Sequence, residues 1–508
     1  MGDNRIFICS VLLCLVLSAF CKLKVNPQTR HLVDEAGNIR ILHGVNVAYK
    51  SPPYLPPVVD HFDFTNSFSK IDAVRLKSWG MNMIRLTVYW EAIEPSRGNY
   101  NDSYLAKVED IIKICALYDI QVLLDAHQDV ASKKFCGEGM PDWAIKQNKN
   151  PLTKFPSPLF GIKFEYDSEG YPTKASCLKN NFPTYYMTYE VEDAFDNLFA
   201  NWNGIGDAFA NMWAHVAARV SSYPNLLGYE IINEPWIGNL FKDPTIIFKQ
   251  ENLMKFYNKV HLAIRAVDNK SIIFYEHPLS DTLLHTIHGN PGGPEYNDRQ
   301  IFSYHVYSSV QGDPKRATPN NAIALVIYNH FYRLLDQENA TGFLTEFGAI
   351  SGLTKPANDN MRFILNLADI RLQSWSYWQY KYYQDYTTAA RPAECEGFFD
   401  QNGDIIHDKV KILTRPYVTS SSLAIQNMKV TSSNVLLVTF IKTSNSNSDH
   451  IKLYLNEDYH FTKGVQCKVR ECKRCKVRRT DSSQKHHYLL DHTNAKVGKL
   501  NLECKPIA

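Results

Sequence analysis

The sequence lacks the features that would place it among nucleic-acid-binding, nucleotide-binding or membrane-spanning proteins. It has 55 Lys and Arg residues against 52 Asp and Glu residues, and the net charge of +3 argues against nucleic acid as a partner. After residue 21 it lacks an apolar run of the roughly 20 residues that a membrane-spanning helix needs. The stretch HGVNVAYK holds one glycine where a doubly wound fold would place a glycine-rich phosphate loop. These absences leave an ordinary globular protein.

The first 21 residues are predicted to be a secretory signal peptide. A basic residue at position 5 precedes the apolar run IFICSVLLCLVLSAF at residues 6–20. Ala19 and Cys21 then fit the small-residue positions of a signal-peptidase site. The alternative, a transmembrane anchor, needs a longer run of about 20 residues. We therefore expect a secreted protein that acts outside the cell, or alternatively in a lysosomal or digestive lumen.

Glycosylation sequons and cysteines agree with export. Sequons occur at Asn101, Asn269 and Asn339. Three of the 11 cysteines lie within residues 1–21, which leaves eight. An even number of cysteines in an exported chain favours disulfide bonds. Cys115 lies in the apolar helical run IIKICAL, so a buried free thiol is the alternative for this residue.

Eight short β-rich runs alternate with segments that mostly have helical periodicity. This alternation predicts the α/β class, and eight repeats predict a closed (β/α)8 TIM barrel, which we assign to residues 22–415. Each run is apolar at first and polar at its end, where barrels of this type place their chemistry. The runs are ILHGVNV (41–47), MIRLTVYW (83–90), VLLDAHQD (122–129), LLGYEIINEP (226–235), IIFYEHP (272–278), FSYHVYS (302–308), GFLTEFG (342–348) and SWSYWQY (374–380).

One connection, from residue 129 to about residue 190, is much longer than expected in a compact domain. It is rich in Pro, Lys, Tyr and Phe, and it contains Cys136 and Cys177. Long loops are usually functional or disordered, and the position after the third strand places this one over the active face. A disulfide between its two cysteines would make it a fixed wall of the cleft.

Residues 416–508 are predicted to form a small C-terminal β-sandwich domain. Short alternating runs such as NVLLVTFIK replace the helical periodicity. From Tyr417 onward there are 15 basic and 7 acidic residues, and the run KGVQCKVRECKRCKVRR is especially basic. This run is either a solvated hairpin face or a surface attracted to anionic lipid. Two disulfides or a zinc site are the alternatives for Cys467, Cys472, Cys475 and Cys504.

Glu234 and Glu346 are the strongest catalytic candidates. Glu234 ends the fourth run in the motif INEP, and Glu346 lies near the end of the seventh run in LTEFG. Strands four and seven face each other across a barrel mouth, so the two carboxyls are expected to meet there. Retaining hydrolysis of a glycoside uses two carboxyls about 5 Å apart. We assign Glu234 as acid/base and Glu346 as nucleophile; a strand-end cap or an ion pair is the alternative for each alone.

Further polar and aromatic residues are expected around this pair. The amide of Asn233 can reach the sugar 2-hydroxyl. Arg85 and Tyr307 are expected to hold Glu346 ionised while Glu234 keeps a higher pKa. The alternative for Arg85 is a structural ion pair at the barrel end.

Residues on the third and eighth strands are candidates for binding the sugar. His127 and Asp129 alternate along the third strand and therefore point the same way, towards sugar hydroxyls. Trp378 offers an aromatic face for a sugar ring, with ordinary core packing as the alternative.

Taken in order, these residues resemble glycoside hydrolase family 5. The match spans the barrel and rests on Arg85, His127, Asn233-Glu234-Pro235, His305-x-Tyr307, Glu346 and Trp378. Within the family, HGVNVAYKSPPYLPP, LLDAHQDV and the RPY motif at residues 415–417 are similar to the endoglycoceramidases. The basic, cysteine-rich tail departs from the family pattern. The resemblance implies that the sugar beside the scissile bond is bound by Lys50, His127, Asp129, Asn233, Tyr307, Gln311 and Trp378.

The sequence thus predicts a secreted, retaining endo-β-glycosidase that cleaves between the oligosaccharide and the ceramide of glycosphingolipids. We expect no metal or cofactor, and we expect a peripheral association with a membrane or micelle surface. The alternatives are another family 5 activity, such as a β-glucanase, mannanase or steryl glucosidase, or a non-catalytic glycolipid-binding protein.

Overall fold

The computed structural model describes residues 22–248, 251–278, 287–308, 320–349, 354–381, 387, 396–446, 450–480 and 485–507. The predicted signal peptide, Gln311 and Cys395 lie outside these ranges. Among the helices in these ranges, none combines the length and the apolar character needed to cross a membrane.

Three short strands precede the barrel, β1 (Lys24–Asn26), β2 (His31–Val33) and β3 (Ile39–Arg40). Eight parallel strands then close into a barrel in chain order, which confirms the predicted TIM barrel. Each barrel strand overlaps one of the eight predicted runs. They are β4 (His43–Val47), β5 (Met83–Val88), β6 (Gln121–Ala126), β7 (Leu226–Glu230), β8 (Ile272–Glu276), β9 (Gln300–Val306), β10 (Gly342–Gly348) and β11 (Trp375–Trp378).

The longer helices around the barrel are amphipathic and cover its strands. In α3 (Asp102–Ala116), Leu105, Val108 and Ile112 are buried against the barrel, whereas Lys107 is exposed. The side chain of Asn101 caps this helix by accepting a hydrogen bond of 3.1 Å from the Tyr104 N–H. The helices are α1 (Lys70–Ser78), α2 (Trp90–Ile93), α3 (Asp102–Ala116), α4 (Lys174–Cys177), α5 (Tyr189–Phe199), α6 (Ile205–Val220), α7 (Glu251–Arg265), α8 (Asn321–Gln337), α9 (Lys355–Ile370) and α10 (His407–Leu413).

The long connection after β6 is a packed insert. The predicted disulfide between Cys136 and Cys177 is present, with a Cα–Cα distance of 5.5 Å. Inside the loop that it closes, the rings of Phe155 and Phe164 stack with centroids 5.2 Å apart, and Phe155 also packs against Tyr185. Covalent closure and aromatic packing together hold this segment as a wall on the barrel.

Two antiparallel sheets form the C-terminal region, as predicted. Their strands are β12 (Tyr417–Ser421), β13 (Ala424–Val430), β14 (Leu436–Lys442), β15 (Ile451–Tyr454), β16 (Val465–Arg470), β17 (Lys476–Arg479), β18 (His487–Asp491) and β19 (Gly498–Pro506), together with β1 to β3. One sheet has the strand order β1-β2-β3-β12-β15-β18-β17 and the other β13-β14-β19-β16, and both contribute to one buried apolar cluster. The first sheet includes the N-terminal strands because β3 pairs with β12 in antiparallel orientation. The domain boundary at residues 415/416 remains a prediction.

The four C-terminal cysteines form two disulfides, so the zinc alternative is wrong for this structure. The bonds are Cys467–Cys504 and Cys472–Cys475. Cys115 is buried and free, as its alternative assignment proposed, and burial raises the pKa of its thiol.

The C-terminal sheets pack directly on the barrel. The hydroxyl of Tyr454 donates to the Ser78 carbonyl at 2.7 Å, and that of Tyr417 donates to the Gly80 carbonyl at 2.8 Å. Gly80 has φ +76°, and a Cβ there would lie 2.5 Å from the Tyr454 ring. Both the backbone conformation and the close ring contact therefore require glycine at this position.

Candidate active site

Arg85, at the centre of the barrel mouth, organises the site. It is fully buried on β5 and ion-pairs with Glu230. Its Nη1 donates to Oε1 of Glu346 at 2.6 Å, and its Nη2 lies 3.1 Å from a carboxylate oxygen of Asp125. Burial opposes its charge, but the surrounding carboxylates outweigh burial and raise the pKa of Arg85 well above its usual value. Arg85 therefore both contacts the candidate nucleophile and belongs to a structural ion-pair cluster.

Both carboxylate oxygens of Glu346 accept hydrogen bonds. Oε1 accepts from Arg85, and Oε2 accepts from the Tyr307 hydroxyl at 2.7 Å. The Glu346 side chain is only 5% exposed. A cation and a phenol thus fix the orientation of this carboxylate.

Glu234 has the opposite environment. Burial raises its pKa to about 7, and the negative charge of Asp129 acts in the same direction. Nδ1 of His305 lies 2.6 Å from Oε1 of Glu234, and burial lowers the pKa of this histidine. One carboxylate oxygen of Glu234 and one of Glu346 lie within 4.8 Å of each other. The two glutamates therefore meet across the mouth with different hydrogen-bond partners, and the role assigned to each stays a prediction.

The backbone at Glu234 is strained. Its φ of +37° lies in the left-handed region that side-chain-bearing residues avoid, at a cost on the order of 1–3 kcal/mol. The amide of Gln128 stabilises this turn by donating to the Asn233 carbonyl at 2.8 Å and to the Glu234 carbonyl at 3.0 Å. Gln128, in the segment that follows β6, therefore holds the strained turn at Glu234 in place.

A second polar cluster lies beside the glutamates. Lys50 forms an ion pair with Asp129, and its ammonium lies 4.7 Å from the centroid of the Trp378 ring. His127 stacks on Trp378 at 5.5 Å and has Nδ1 2.7 Å from Asp125. Burial raises the pKa of Asp129, but the Lys50 charge and His127 outweigh burial and lower it. The four expected residues therefore form one buried charged and aromatic cluster.

The side chain of Asn233 already forms two hydrogen bonds within the protein. Its Oδ1 accepts from Nη2 of Arg85 at 2.8 Å, and its Nδ2 donates to the Gln128 carbonyl at 3.1 Å. An amide nitrogen carries two hydrogens, so a second N–H is available for a sugar hydroxyl. The expected role of Asn233 stays a prediction, as does that of Gln311.

Sequence reasoning missed several residues around Arg85. Asp125 could have been found because it alternates with His127 and Asp129 and therefore shares their face of the strand. Glu230 and Glu276 each end a barrel strand, which is the same signal that identified Glu234. No sequence pattern marks Gln128. The missed residues that contact Arg85 or Glu234 are Asn46, Asp125, Gln128, Glu230 and Glu276.

Among the residues that the structure describes, three groups of side chains have donor atoms close enough to share a metal ion. They are His127, Asp129 and Glu138; Glu230, Glu276 and His305; and Glu234, His305 and Glu346. Arg85 ion-pairs with Glu230 and Glu346, and Lys50 ion-pairs with Asp129 and lies 3.7 Å from Glu138. Because these cations already compensate the carboxylates, the arrangement fits proton transfer and sugar binding better than metal binding.

The model of Cellulase (glycosyl hydrolase family 5) matches residues 61–384. This chain belongs to glycoside hydrolase family 5. Among its relatives, the endoglycoceramidase of Cyanea nozakii is 33% identical over 88% of this chain and 87% of its own length. The endoglycoceramidase of Hydra vulgaris is 36% identical over 71% of this chain and 67% of its own. The predicted resemblance of this family 5 glycoside hydrolase to the endoglycoceramidases is therefore confirmed.

Solved structures of other proteins have the same fold. Endo-glycoceramidase II from Rhodococcus sp. superimposes with a TM-score of 0.71 at 22% identity, over 94% of this chain and 100% of that one. That protein has also been solved with ganglioside GM3 and as a lactosyl-enzyme intermediate.

Proposed function

We propose that this family 5 enzyme is a retaining endoglycoceramidase that hydrolyses the β-linkage between the oligosaccharide and the ceramide of glycosphingolipids. The observation that carries the chemistry is the pairing of Glu234 and Glu346 in opposite environments, with carboxylate oxygens within 4.8 Å. Retaining glycosidases have carboxyl groups about 5–5.5 Å apart, whereas inverting enzymes need a wider gap for water. The substrate class is supported by the relatives named endoglycoceramidase.

In the first step, Glu346 attacks the anomeric carbon of the glucose attached to ceramide. The bond to the ceramide oxygen breaks, and Glu234 gives that oxygen its proton. This division of roles agrees with the pKa of about 7 at Glu234 and with the hydrogen bonds that Arg85 and Tyr307 donate to Glu346. The products of this step are a covalent glycosyl ester of Glu346 and free ceramide.

In the second step, the ionised Glu234 takes a proton from water as the water attacks the anomeric carbon. The ester bond to Glu346 breaks, and the sugar leaves with its original β configuration. The cluster of Lys50, His127, Asp129 and Trp378 lies beside the glutamates and would hold the hydroxyls and the face of this sugar.

Secretion is part of the proposal. The three disulfides within the described residues fit an oxidising compartment. Two of the sequon asparagines, Asn269 and Asn339, are exposed, as glycosylation requires. These features support the predicted signal peptide at residues 1–21 and an extracellular, lysosomal or digestive site of action.

Association with a lipid surface is also part of the proposal. Strands β16 and β17 are edge strands of the two C-terminal sheets, and the Cys472–Cys475 turn lies between them. Their basic side chains are exposed, as are those of the turn. This patch would attract anionic lipid; it consists of Lys468, Arg470, Lys473, Arg474, Lys476 and Arg478.

The test is a comparison of substrate classes with the purified secreted protein. We expect kcat/KM to be highest for a ganglioside in nonionic detergent micelles, lower for a steryl glucoside, and lowest for cellulose and mannan oligomers. The Glu346→Gln variant controls for contaminating glycosidases. Faster cleavage of the polysaccharide oligomers or of the steryl glucoside would replace the substrate assignment by another family 5 activity, and binding without turnover would indicate a non-catalytic protein.

A further inference from the structure

We propose that the tip of the insert, residues 146–163, is a membrane-docking element that places Leu152 and Phe160 in the lipid surface from which the substrate is drawn. This inference rests on the proposed function, because a glycosphingolipid resides in such a surface. We call these residues the docking tip.

The docking tip exposes large apolar side chains more fully than any other described part of the chain. Phe160 is 95% exposed and Leu152 is 79% exposed, the two highest values among the large hydrophobic residues of the described ranges. Exposed apolar area of this size is unfavourable in water and favourable in an apolar surrounding. Two protruding side chains fit a fluid lipid surface better than a flat protein partner, which would cover a continuous patch.

The exposure is built into an ordered segment. Within the tip, the Ser157 N–H donates to the Lys154 carbonyl at 2.8 Å, and the Leu159 N–H donates to the Pro156 carbonyl at 2.8 Å. The Ser157 carbonyl in turn accepts from the N–H of Tyr189, the first residue of α5, at 3.0 Å. Because the tip is anchored in this way, Leu152 and Phe160 are presented without a further ordering cost.

The base of the tip is apolar and covalently closed. Phe155, between the two exposed side chains, is buried, and its ring stacks on Phe164 with centroids 5.2 Å apart. The Cys136–Cys177 disulfide spans the segment that contains the tip.

The charge of the docking tip also fits a lipid surface. Residues 146–163 contain four lysines and no acidic residue. Lys149, Lys154 and Lys163 are exposed beside the two apolar side chains. Basic side chains around inserted aromatic and aliphatic residues are typical of segments that lie in the membrane interface.

The insert also reaches the sugar-binding cluster. The hydroxyl of Tyr186 donates to Oδ1 of Asp129 at 3.4 Å, and the Tyr186 ring stacks on Trp236 at 5.1 Å. The insert leaves the barrel after β6, at the end of the barrel that carries Glu234 and Glu346. Docking through the tip would therefore bring that end of the barrel to the surface that holds the substrate.

The test separates lipid binding from catalysis. The double variant Leu152→Ser/Phe160→Ser is compared with Leu262→Ser/Val497→Ser, because Leu262 and Val497 are 65% and 68% exposed but lie on α7 and in the C-terminal region. Binding is measured by sedimentation with phosphatidylcholine vesicles that contain no glycolipid. We expect the tip variant to bind at least about tenfold more weakly than wild type and the control variant to bind like wild type.

Two further measurements complete the test. Turnover of a soluble aryl β-lactoside should be the same in all three proteins, which reports folding and an intact site. The triple variant Lys149→Gln/Lys154→Gln/Lys163→Gln should weaken binding to vesicles containing phosphatidylserine, by up to roughly fivefold for each lysine. The proposal is overturned if wild type does not sediment with vesicles, or if the tip and control variants bind equally. Failure of wild type to cleave any glycosphingolipid would instead remove the proposed function, since the sedimentation result does not depend on activity.

Discussion

Glu276 lies behind His305, with its Oε1 atom 3.5 Å from Nε2 of the imidazole. The other side of this ring contacts Glu234, and Oε2 of Glu276 accepts the Glu234 N–H at 3.3 Å. Burial, reinforced by the charge of Glu230, raises the pKa of Glu276 well above its usual value, although Arg85 opposes this shift. This raised pKa favours the protonated, neutral form of Glu276, which would position His305 and, through it, the proposed acid/base.

A neutral Glu276 predicts a mild effect for Glu276→Gln. The amide has the same shape and charge as the protonated acid. We therefore expect the apparent pKa of the basic limb of kcat/KM to stay within about 0.3 pH units of the wild-type value. Glu276→Leu removes the polar group and should lower kcat by roughly tenfold or more, because His305 loses its partner. If the apparent pKa of the basic limb were a full pH unit lower in Glu276→Gln than in wild type, Glu276 would be ionised in wild type and would raise the pKa of Glu234.

The pKa of about 7 at Glu234 also predicts the pH at which the basic limb of kcat/KM begins. Glu234 must be protonated to give its proton to the leaving oxygen, so kcat/KM should decline above about pH 7. The measurement is kcat/KM from pH 4 to 10 on a substrate with a poor leaving group. A plateau that extends to pH 9 would contradict the assignment of Glu234 as the acid.

One variant at each glutamate tests the role proposed for it. Glu234→Ala should regain activity with azide on substrates with activated leaving groups, because azide replaces water in the second step, and the product should be the β-azide. Glu346→Gln should keep its fold and lose turnover, since it removes the proposed nucleophile at a polar barrel mouth. An α-azide from Glu234→Ala would contradict a double-displacement mechanism.

The same raised pKa predicts that Glu234 destabilises the fold at neutral pH and above. An unfolded glutamate ionises near pH 4.5, whereas the folded one keeps its proton to about pH 7, so stability falls as pH rises through this window. Glu234→Gln should therefore gain unfolding free energy relative to wild type between these values, and the gain should level at up to about 3 kcal/mol above pH 7. Denaturant melts at pH 4 and pH 8 measure this difference. An equal difference at both pH values would contradict it.

The insert disulfide should stabilise the site as well as the fold. Cys136→Ser/Cys177→Ser opens a loop with a sequence separation of 41 residues, which lowers the unfolding free energy by about 4 kcal/mol in the loop-entropy account. Because Tyr186 of the same insert contacts Asp129, KM should rise. Cys467→Ser/Cys504→Ser is the matched control: its separation of 37 residues predicts a similar loss of stability with an unchanged KM. Equal KM values in the two variants would remove the link between the insert and the site.

The sequence predicts those features of the fold and of the site that are encoded in a short stretch of neighbouring residues. The eight barrel strands are buried apolar runs between helical segments; Glu234 follows β7, and Glu346 lies near the end of β10. Tyr307 directly follows β9, whereas Arg85 lies within β5. Local signals of this kind are sufficient because a parallel barrel brings all strand ends to one face.

What escaped prediction depends on contacts between distant parts of the chain. The pairing of Arg40 with Ser420 joins the N-terminal strands to the C-terminal sheet, and no periodicity marks it. The raised pKa of Glu276 depends on its burial and on the nearby charge of Glu230. Gln128 supports the strained Glu234 backbone across two strands, which only the folded structure reveals.

The most direct test of the central claim is mass spectrometry of both products from one purified ganglioside, digested by wild type and by Glu346→Gln. The account predicts intact oligosaccharide and intact ceramide in equal amounts from wild type, and neither product from the variant. Release of single terminal sugars, or ceramide that still carries glucose, would contradict it.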